Sequence, residues 1–301
     1  MGVTEMDFNQ VIQNFQAAMF AQGITPPGHI IADGQLHRFY VQGDKRGSKN
    51  GWYMIFIDNV PCGVYGSWKA GNSYKWCAKK PECMNKSEYE LFQKQMFDAK
   101  HKREEVRVKE QSTAAKRAGY IYNNCRIANS NHPYLVTKRI KPFSARQIGK
   151  QLVLPIIDFS GNYWSLQYIA PDSEKRFLPK GVIANHFIPI RYECTQSLKI
   201  LICEGFATGA TLADVYPEFC VIATCNANNL KPVAINARIH LPKVELVICA
   251  DIDQVGIVKA REAAIAAKAN LIKPNFPLEA SKKLSDFNDL FCWFDLGGFV
   301  V

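Results

Sequence analysis

Apolar positions at Phe8, Val11, Ile12, Phe15, Ala18 and Met19 recur with a helical period, and Gly23 with Pro26-Pro27 closes the run, so the sequence opens on a short amphipathic helix. Across residues 30–76 the period falls to two. The runs His37-Arg38-Phe39-Tyr40-Val41, Trp52-Tyr53-Met54-Ile55-Phe56-Ile57 and Gly63-Val64-Tyr65-Gly66 are separated by Gly43-Asp44, Asn50-Gly51 and Gly71-Asn72, the pattern of a small antiparallel sheet. Residues 87–118 hold neither Pro nor Gly and are rich in Glu, Lys, Gln and Ala, which predicts one long exposed helix or a helix pair ended by Gly119. Short strands return at 152–157, 163–169 and 175–178. The last third alternates near-continuous apolar runs at 198–203, 220–225 and 244–250 with helical stretches at 207–216, 229–239 and 255–269, as parallel strands buried on both faces require.

The organisation expected is therefore an α+β module with a Trp-rich sheet at 1–86, a basic helical connector at 87–150, a strand-rich basic subdomain at 151–195 and a doubly wound parallel α/β domain at 196–301. Composition agrees with a folded chain: 48% hydrophobic and 21% charged residues are too balanced for disorder. No run of eighteen apolar residues and no basic-then-apolar leader is present, so the expectation is a soluble cytoplasmic protein with no membrane partner. The ten cysteines are scattered singly with no C-x-x-C pair, which reads as reduced thiols, and no zinc is expected.

Charge is unevenly placed. Residues 94–150 carry fourteen Lys and Arg against four acids, a net +10 that equals that of the whole protein. Such a block is the footprint of a polyanion partner, or else a solvated, salt-bridged helix. Lys138 and Arg139 lie in it and are candidate nucleic-acid contacts. In the opening sheet Trp52 and Trp68 interleave with Arg38 and Lys45; these residues can stack and hold a single strand, or they can be core and rim.

Acids follow two of the buried strand runs: Glu204-Gly205 after 198–203, and Asp251-Ile252-Asp253 after 244–250. Ligands of open α/β sheets gather at the carboxyl ends of the strands. Asp251 and Asp253 share a face in extended backbone, and a neighbouring parallel strand can bring Glu204 alongside. Three close carboxylates repel unless a hard cation sits among them, which suits Mg²⁺ or Mn²⁺; capping of the following helices accounts for one acid, not for three. Asp286-Phe287-Asn288-Asp289-Leu290 adds two acids that either reach the metal or cap a helix, with Asp289 counted as a metal candidate. Gly205-Phe206-Ala207-Thr208-Gly209 lacks the lysine of a phosphate loop.

Glu204-Gly205 and Asp251-Ile252-Asp253, with the βαβα pattern between them, resemble the Toprim domain of bacterial-type primases, topoisomerases and some nucleases. Upstream, His132-Pro133-Tyr134-Leu135, Ser165-Leu166-Gln167-Tyr168-Ile169 and Lys175-Arg176-Phe177-Leu178 are similar to the region ahead of Toprim in primases of plasmids, phages and integrated elements. Asp33-Gly34, Gly43-Asp44-Lys45, Asn50-Gly51-Trp52-Tyr53 and Gly66-Ser67-Trp68-Lys69 resemble the amino-terminal module of the plasmid type. The resemblance implies metal-dependent synthesis of RNA primers on single-stranded DNA from ribonucleoside triphosphates. It implies that Glu204, Asp251 and Asp253 hold Mg²⁺ or Mn²⁺ and that Lys175, Arg176 and Lys180 meet template or triphosphate. The sequence has no zinc ribbon and no helicase phosphate loop, so unwinding is expected to come from a partner such as a replicative helicase, or the template to be already single-stranded. A Toprim nuclease using the same acids, and a non-catalytic single-strand binder, are the competing readings.

Overall fold

In a computed structural model of the chain, which describes residues 8–58, 60–192, 198–281 and 283–295, the opening helical period becomes α1 (Phe8–Ala21), with Val11, Phe15 and Met19 buried. The alternating stretch becomes β1 (His37–Phe39), β2 (Gly51–Phe56), β3 (Cys62–Ser67) and β4 (Asn72–Cys77), an antiparallel sheet in that order. Alternation along β2 sorts its side chains: Tyr53 and Ile55 pack with α1, whereas Trp52 and Met54 pack with Phe92, Met96 and Ala99 of α2 (Lys86–Asn124). Both faces of this sheet are therefore covered. Trp52 is only 1% exposed and lies under the Arg103 guanidinium, 4.7 Å from its ring centroid. It is a core residue, and the expectation that it stacks on a base is corrected: a ring with no free face cannot receive one.

The chain divides into two units, residues 1–109 and 110–301, and the division falls within α2. This helix runs for 39 residues and passes through Gly119 rather than ending there. A Cβ at Gly119 would stand 3.1 Å from the Tyr163 ring, so the glycine serves close packing.

In the second unit, β5 (Arg126–Ile127), α3 (Pro133–Lys138) and β6 (Arg146–Ile148) occupy part of the stretch expected to be helical connector. The strands β5 and β6 join β7 (Gln151–Ile157), β8 (Tyr163–Ile169) and β9 (Lys175–Phe177) in a five-stranded antiparallel meander. Two- and three-residue strands flanked by basic side chains give little periodic signal, which is why the sequence pattern passes over them.

The α/β domain comprises β10 (Ile188–Arg191), β11 (Lys199–Cys203), α4 (Phe206–Val215), β12 (Cys220–Ala223), α5 (Leu230–His240), β13 (Glu245–Cys249), α6 (Gln254–Ala267), β14 (Asn270–Ile272) and α7 (Phe287–Asp295). The sheet order is β10-β12-β11-β13-β14. Four of these strands are parallel, and β10 is antiparallel to β12, so the sheet is mixed where a purely parallel one was expected. Leu201, Cys203, Val221, Val247 and Cys249 face α4 and β7, while Ile200, Ile202, Ile222, Leu246 and Ile248 face α5 and α6. Burial on both faces explains the unbroken apolar runs. No helix among the described residues is long and apolar enough to cross a membrane.

Candidate active site

β11 and β13 are neighbouring parallel strands with Cys203 level with Cys249. The acids beyond them leave the same end of the sheet. Glu204 enters α4 through the extended N-cap residue Gly205. Asp253 is itself the N-cap of α6, and its Oδ1 accepts from the Val255 and Gly256 amides, each at 2.9 Å. Gly256 permits this turn: a Cβ there would stand 3.0 Å from the Asp251 carbonyl oxygen and 3.2 Å from Asp253 Oδ2.

The second pair of acids arrives from the start of α7. The Ile252 amide donates to the Ser285 carbonyl at 2.8 Å, which ties that loop to the acidic strand end. Asp286 Oδ1 accepts from the Asp289 amide at 2.8 Å, and Asp289 Oδ2 accepts from the Ser285 amide at 3.0 Å. Both residues thus organise a helix start, and both also act electrostatically on Asp251. The alternatives of capping and of facing the cluster are not exclusive here.

Burial pushes the Asp251 carboxyl up to about 8, helped by the charges of Asp286, Glu204, Asp253 and Asp289. Glu204 is raised too, first by burial and then by Asp253, against the pull of Lys175 and the Ala227 amide. These groups want positive charge. Lys175 supplies some of it. The residue is accessible to water, yet its ammonium is crowded enough that burial and then Lys138 lower its pKa, opposed by Asp286 and Glu204. Lys138 Nζ stands 3.7 Å from Asp289 Oδ1. Its position is fixed by Asn288, whose Nδ2 donates to the Lys138 carbonyl at 2.7 Å and to Thr211 Oγ1 at 3.0 Å, joining α3, α4 and α7.

The structure therefore brings Glu204, Asp251, Asp253, Asp286, Asp289, Lys175 and Lys138 to one place. Arg176 turns away and forms a two-point pair with Glu174 at 3.0 and 2.8 Å. Lys180 pairs with Glu110 at 2.8 Å, and Arg139 pairs with Asp295. Arg38, Lys45 and Trp68 belong to the first unit; Arg38 Nε donates to the Lys49 carbonyl at 3.0 Å, and Trp68 is 36% exposed. Lys138 reaches the acids through the fold alone, since nothing in its local sequence distinguishes it from its basic neighbours.

In chemistry the acids fit a hard divalent cation. All donors are carboxylate oxygens, and Asp251 Oδ1 is buried with no hydrogen-bond partner. In geometry they stand as neighbours rather than a closed ligand set: among the described residues no group of three or more His, Cys, Asp or Glu is placed to hold one ion.

Residues 199–293 match the Toprim domain family. Two proteins of Escherichia coli, each named DNA primase TraC, are similar over most of this chain. One is 29% identical over 279 residues, covering 87% of this chain and 26% of the relative. The other is 27% identical over 274 residues, covering 86% and 19% respectively. The chain thus spans about a quarter or less of these relatives. Among solved structures, the primase fragment of the bacteriophage T7 primase-helicase protein aligns over 56% of this chain and 74% of its own, with 14% identity and a TM-score of 0.44. This chain therefore carries a Toprim domain and is similar, over most of its length, to Toprim primases of the mobile-element type.

Proposed function

We propose that the protein is a DNA primase that joins ribonucleotides into short RNA primers on a single-stranded DNA template. The observation that carries this reading is the meeting of the strand-end acids Glu204 and Asp251 with Lys175 at one end of the sheet. Acids alone suit many phosphoryl reactions; acids beside two lysines suit one that must seat a triphosphate. The similarity to TraC over most of the chain favours the same reading.

Each residue then has a task. Glu204, Asp251, Asp253 and Asp289 would hold Mg²⁺ or Mn²⁺, which when bound supplies charge for the attacking and leaving oxygens of nucleotidyl transfer. Lys175 and Lys138 neutralise the triphosphate of the incoming ribonucleotide and orient its α-phosphate. The α6 cap at Asp253 and the α7 turn at Asp286 hold these two acids on helix starts, and the acids draw together as the cation and substrate arrive. Arg176, Lys180 and Arg139 and, in the first unit, Arg38, Lys45 and Trp68 act, in this proposal, along the path of the DNA. Template reaches the enzyme already single-stranded, for instance behind a replicative helicase.

The test is incorporation of labelled ribonucleotides on single-stranded circular DNA with Mg²⁺ or Mn²⁺, run beside Asp251→Ala and Asp253→Ala. Short RNA products that disappear in both variants support the primase. Cut template in place of product would establish a Toprim nuclease, and intact template without product would leave a single-strand binder.

A further inference from the structure

The first unit displays an aromatic ring beside a row of positive charges. On the α2 face of its sheet, α2 packs on β2 and β3 and on Cys77, while Ser73 and Lys75 of the edge strand β4 stay exposed. A groove of about 260 Å³ lies between them. Its floor is apolar, made by Val64, Met96 and Ala99, all buried. Its rim is basic, with Lys75 on β4 and Lys100 and Arg103 on α2, and no acid is among the lining residues.

One wall is aromatic. Phe97 is 61% exposed and leans on His101, with ring centroids 4.8 Å apart. A phenylalanine kept in water beside a row of cations is costly as mere surface, at roughly 1.5–3 kcal/mol of burial forgone. Arg103 is held in place: its guanidinium lies over Trp52 and Trp68, and its Nη1 donates to Ser73 Oγ at 3.2 Å. The groove is thus rigid at that end and cationic along its length. Its size is below the range of roughly 300–1,000 Å³ usual for drug-sized ligands, which suits one nucleobase with its sugar.

We infer that this groove binds single-stranded nucleic acid, one base lying against Phe97 over the Val64–Met96 floor while the flanking phosphates meet Lys75 and Lys100. A ring face flanked by spaced cations is what a single strand presents its complement to: every base has a π-face, and every nucleotide brings one negative charge. A partner helix would need apolar rim positions, and the rim here is charged with one sign. The inference deepens the primase reading by giving the template a holding point in the first unit, on Phe97 rather than on the buried Trp52.

The test is fluorescence anisotropy of a labelled oligothymidylate with the full chain, in EDTA and without ribonucleotides, so that a protein unable to make RNA still reports on the groove. Lys75→Glu/Lys100→Glu is expected to weaken binding about tenfold or more and to flatten the slope of log K against log salt by about 1.4, two phosphate contacts' worth. Phe97→Ala is expected to weaken it roughly 5- to 100-fold at unchanged salt slope. Unchanged affinity in these variants, with melting curves like the parent's, overturns the inference. So does equal displacement by a free ribonucleoside triphosphate, which makes the groove a mononucleotide site, or equal affinity for blunt duplex. Should the charge-reversed protein unfold, photocrosslinking of a 5-iododeoxyuridine oligonucleotide to the unaltered chain decides: attachment at Phe97 supports the groove, and attachment only elsewhere refutes it.

Discussion

Cys203 and Cys249 stand side by side on β11 and β13, so the first acids beyond them, Glu204 and Asp251, emerge at nearly the same level of the sheet. A one-residue slip of register would move one acid about 3.3 Å along the other and turn that strand's buried side chains to the opposite face. The buried, alternating contacts of Ile200, Ile202, Leu246 and Ile248 with α5 and α6 prevent such a slip. The placement of the acids is thereby a property of the hydrophobic core.

Asp253 has two tasks, and substitutions separate them. Asp253→Ala removes the α6 cap and is expected to cost about 1 kcal/mol of stability as well as RNA synthesis. Asp253→Asn keeps an accepting oxygen for the Val255 and Gly256 amides, so stability stays within a few tenths of a kcal/mol of the parent while synthesis is still lost. Thermal denaturation beside ribonucleotide incorporation reads both effects, and DNA binding is expected to survive in each variant.

Asp251 makes stability depend on pH in a defined direction. Its carboxyl titrates near 8 in the folded chain against about 3.9 when unfolded, so between those values the folded state binds the extra proton. Stability of the metal-free protein therefore falls as pH rises from about 4 to 8, and Asp251→Asn removes that part of the slope. Denaturation in EDTA across this range checks it. Proton and cation compete for the same carboxylate, so Mg²⁺ affinity is expected to strengthen as pH climbs toward 8.

Lys175 and Arg176 are adjacent in sequence and are expected to differ in effect. Lys175→Ala removes the ammonium beside Glu204 and Asp286, and is expected to raise the KM for ribonucleoside triphosphate about 10- to 100-fold, the loss of one charge-assisted contact. Arg176→Ala breaks a surface pair with Glu174 worth about 1 kcal/mol or less and changes this KM little. Steady-state kinetics of the two variants, with Lys175→Arg as the conservative control, measures the contrast.

Gly256 and Gly209 are expected to fail in different ways. Gly256→Val drives its side chain against the Asp251 carbonyl and Asp253 Oδ2, so activity drops together with the α6 cap. Gly209→Val in α4 meets Ile190 at 2.9 Å and Cys203 Sγ at 3.1 Å, and is expected to destabilise the second unit by roughly 1–3 kcal/mol. Comparing melting temperature with specific activity distinguishes them.

The apolar strand runs and the acids that follow them were legible because burial on both faces leaves a continuous hydrophobic signature and function sits where it stops. Gly119 misled for a physical reason: a glycine usually ends a helix, but here it makes room for the Tyr163 ring. Lys138 was readable as a basic residue, not as a neighbour of Asp289, because that proximity depends on Asn288 bridging α3 and α4. Trp52 carried the composition of a stacking surface while its alternation with Tyr53 placed it in a covered layer. The resemblance of the motifs to Toprim primases pointed to the acids; it did not point to the groove beside Phe97, whose residues come from β3, β4 and α2, distant from one another in sequence.

The bridge between Ile157 and Phe187 links the end of β7 to the segment leading into β10, and β7 shares one core with α4 and the central sheet. The sheet that carries Lys175 therefore shares one of its two cores with the acids' support, while Val153, Leu166 and Leu178 on its other face pack against Ala114 and Ala118 of α2. Through that shared core the cationic and anionic halves of the site stabilise one another, and a fragment bearing only the Toprim residues 199–293 would expose the apolar face that β7 now covers.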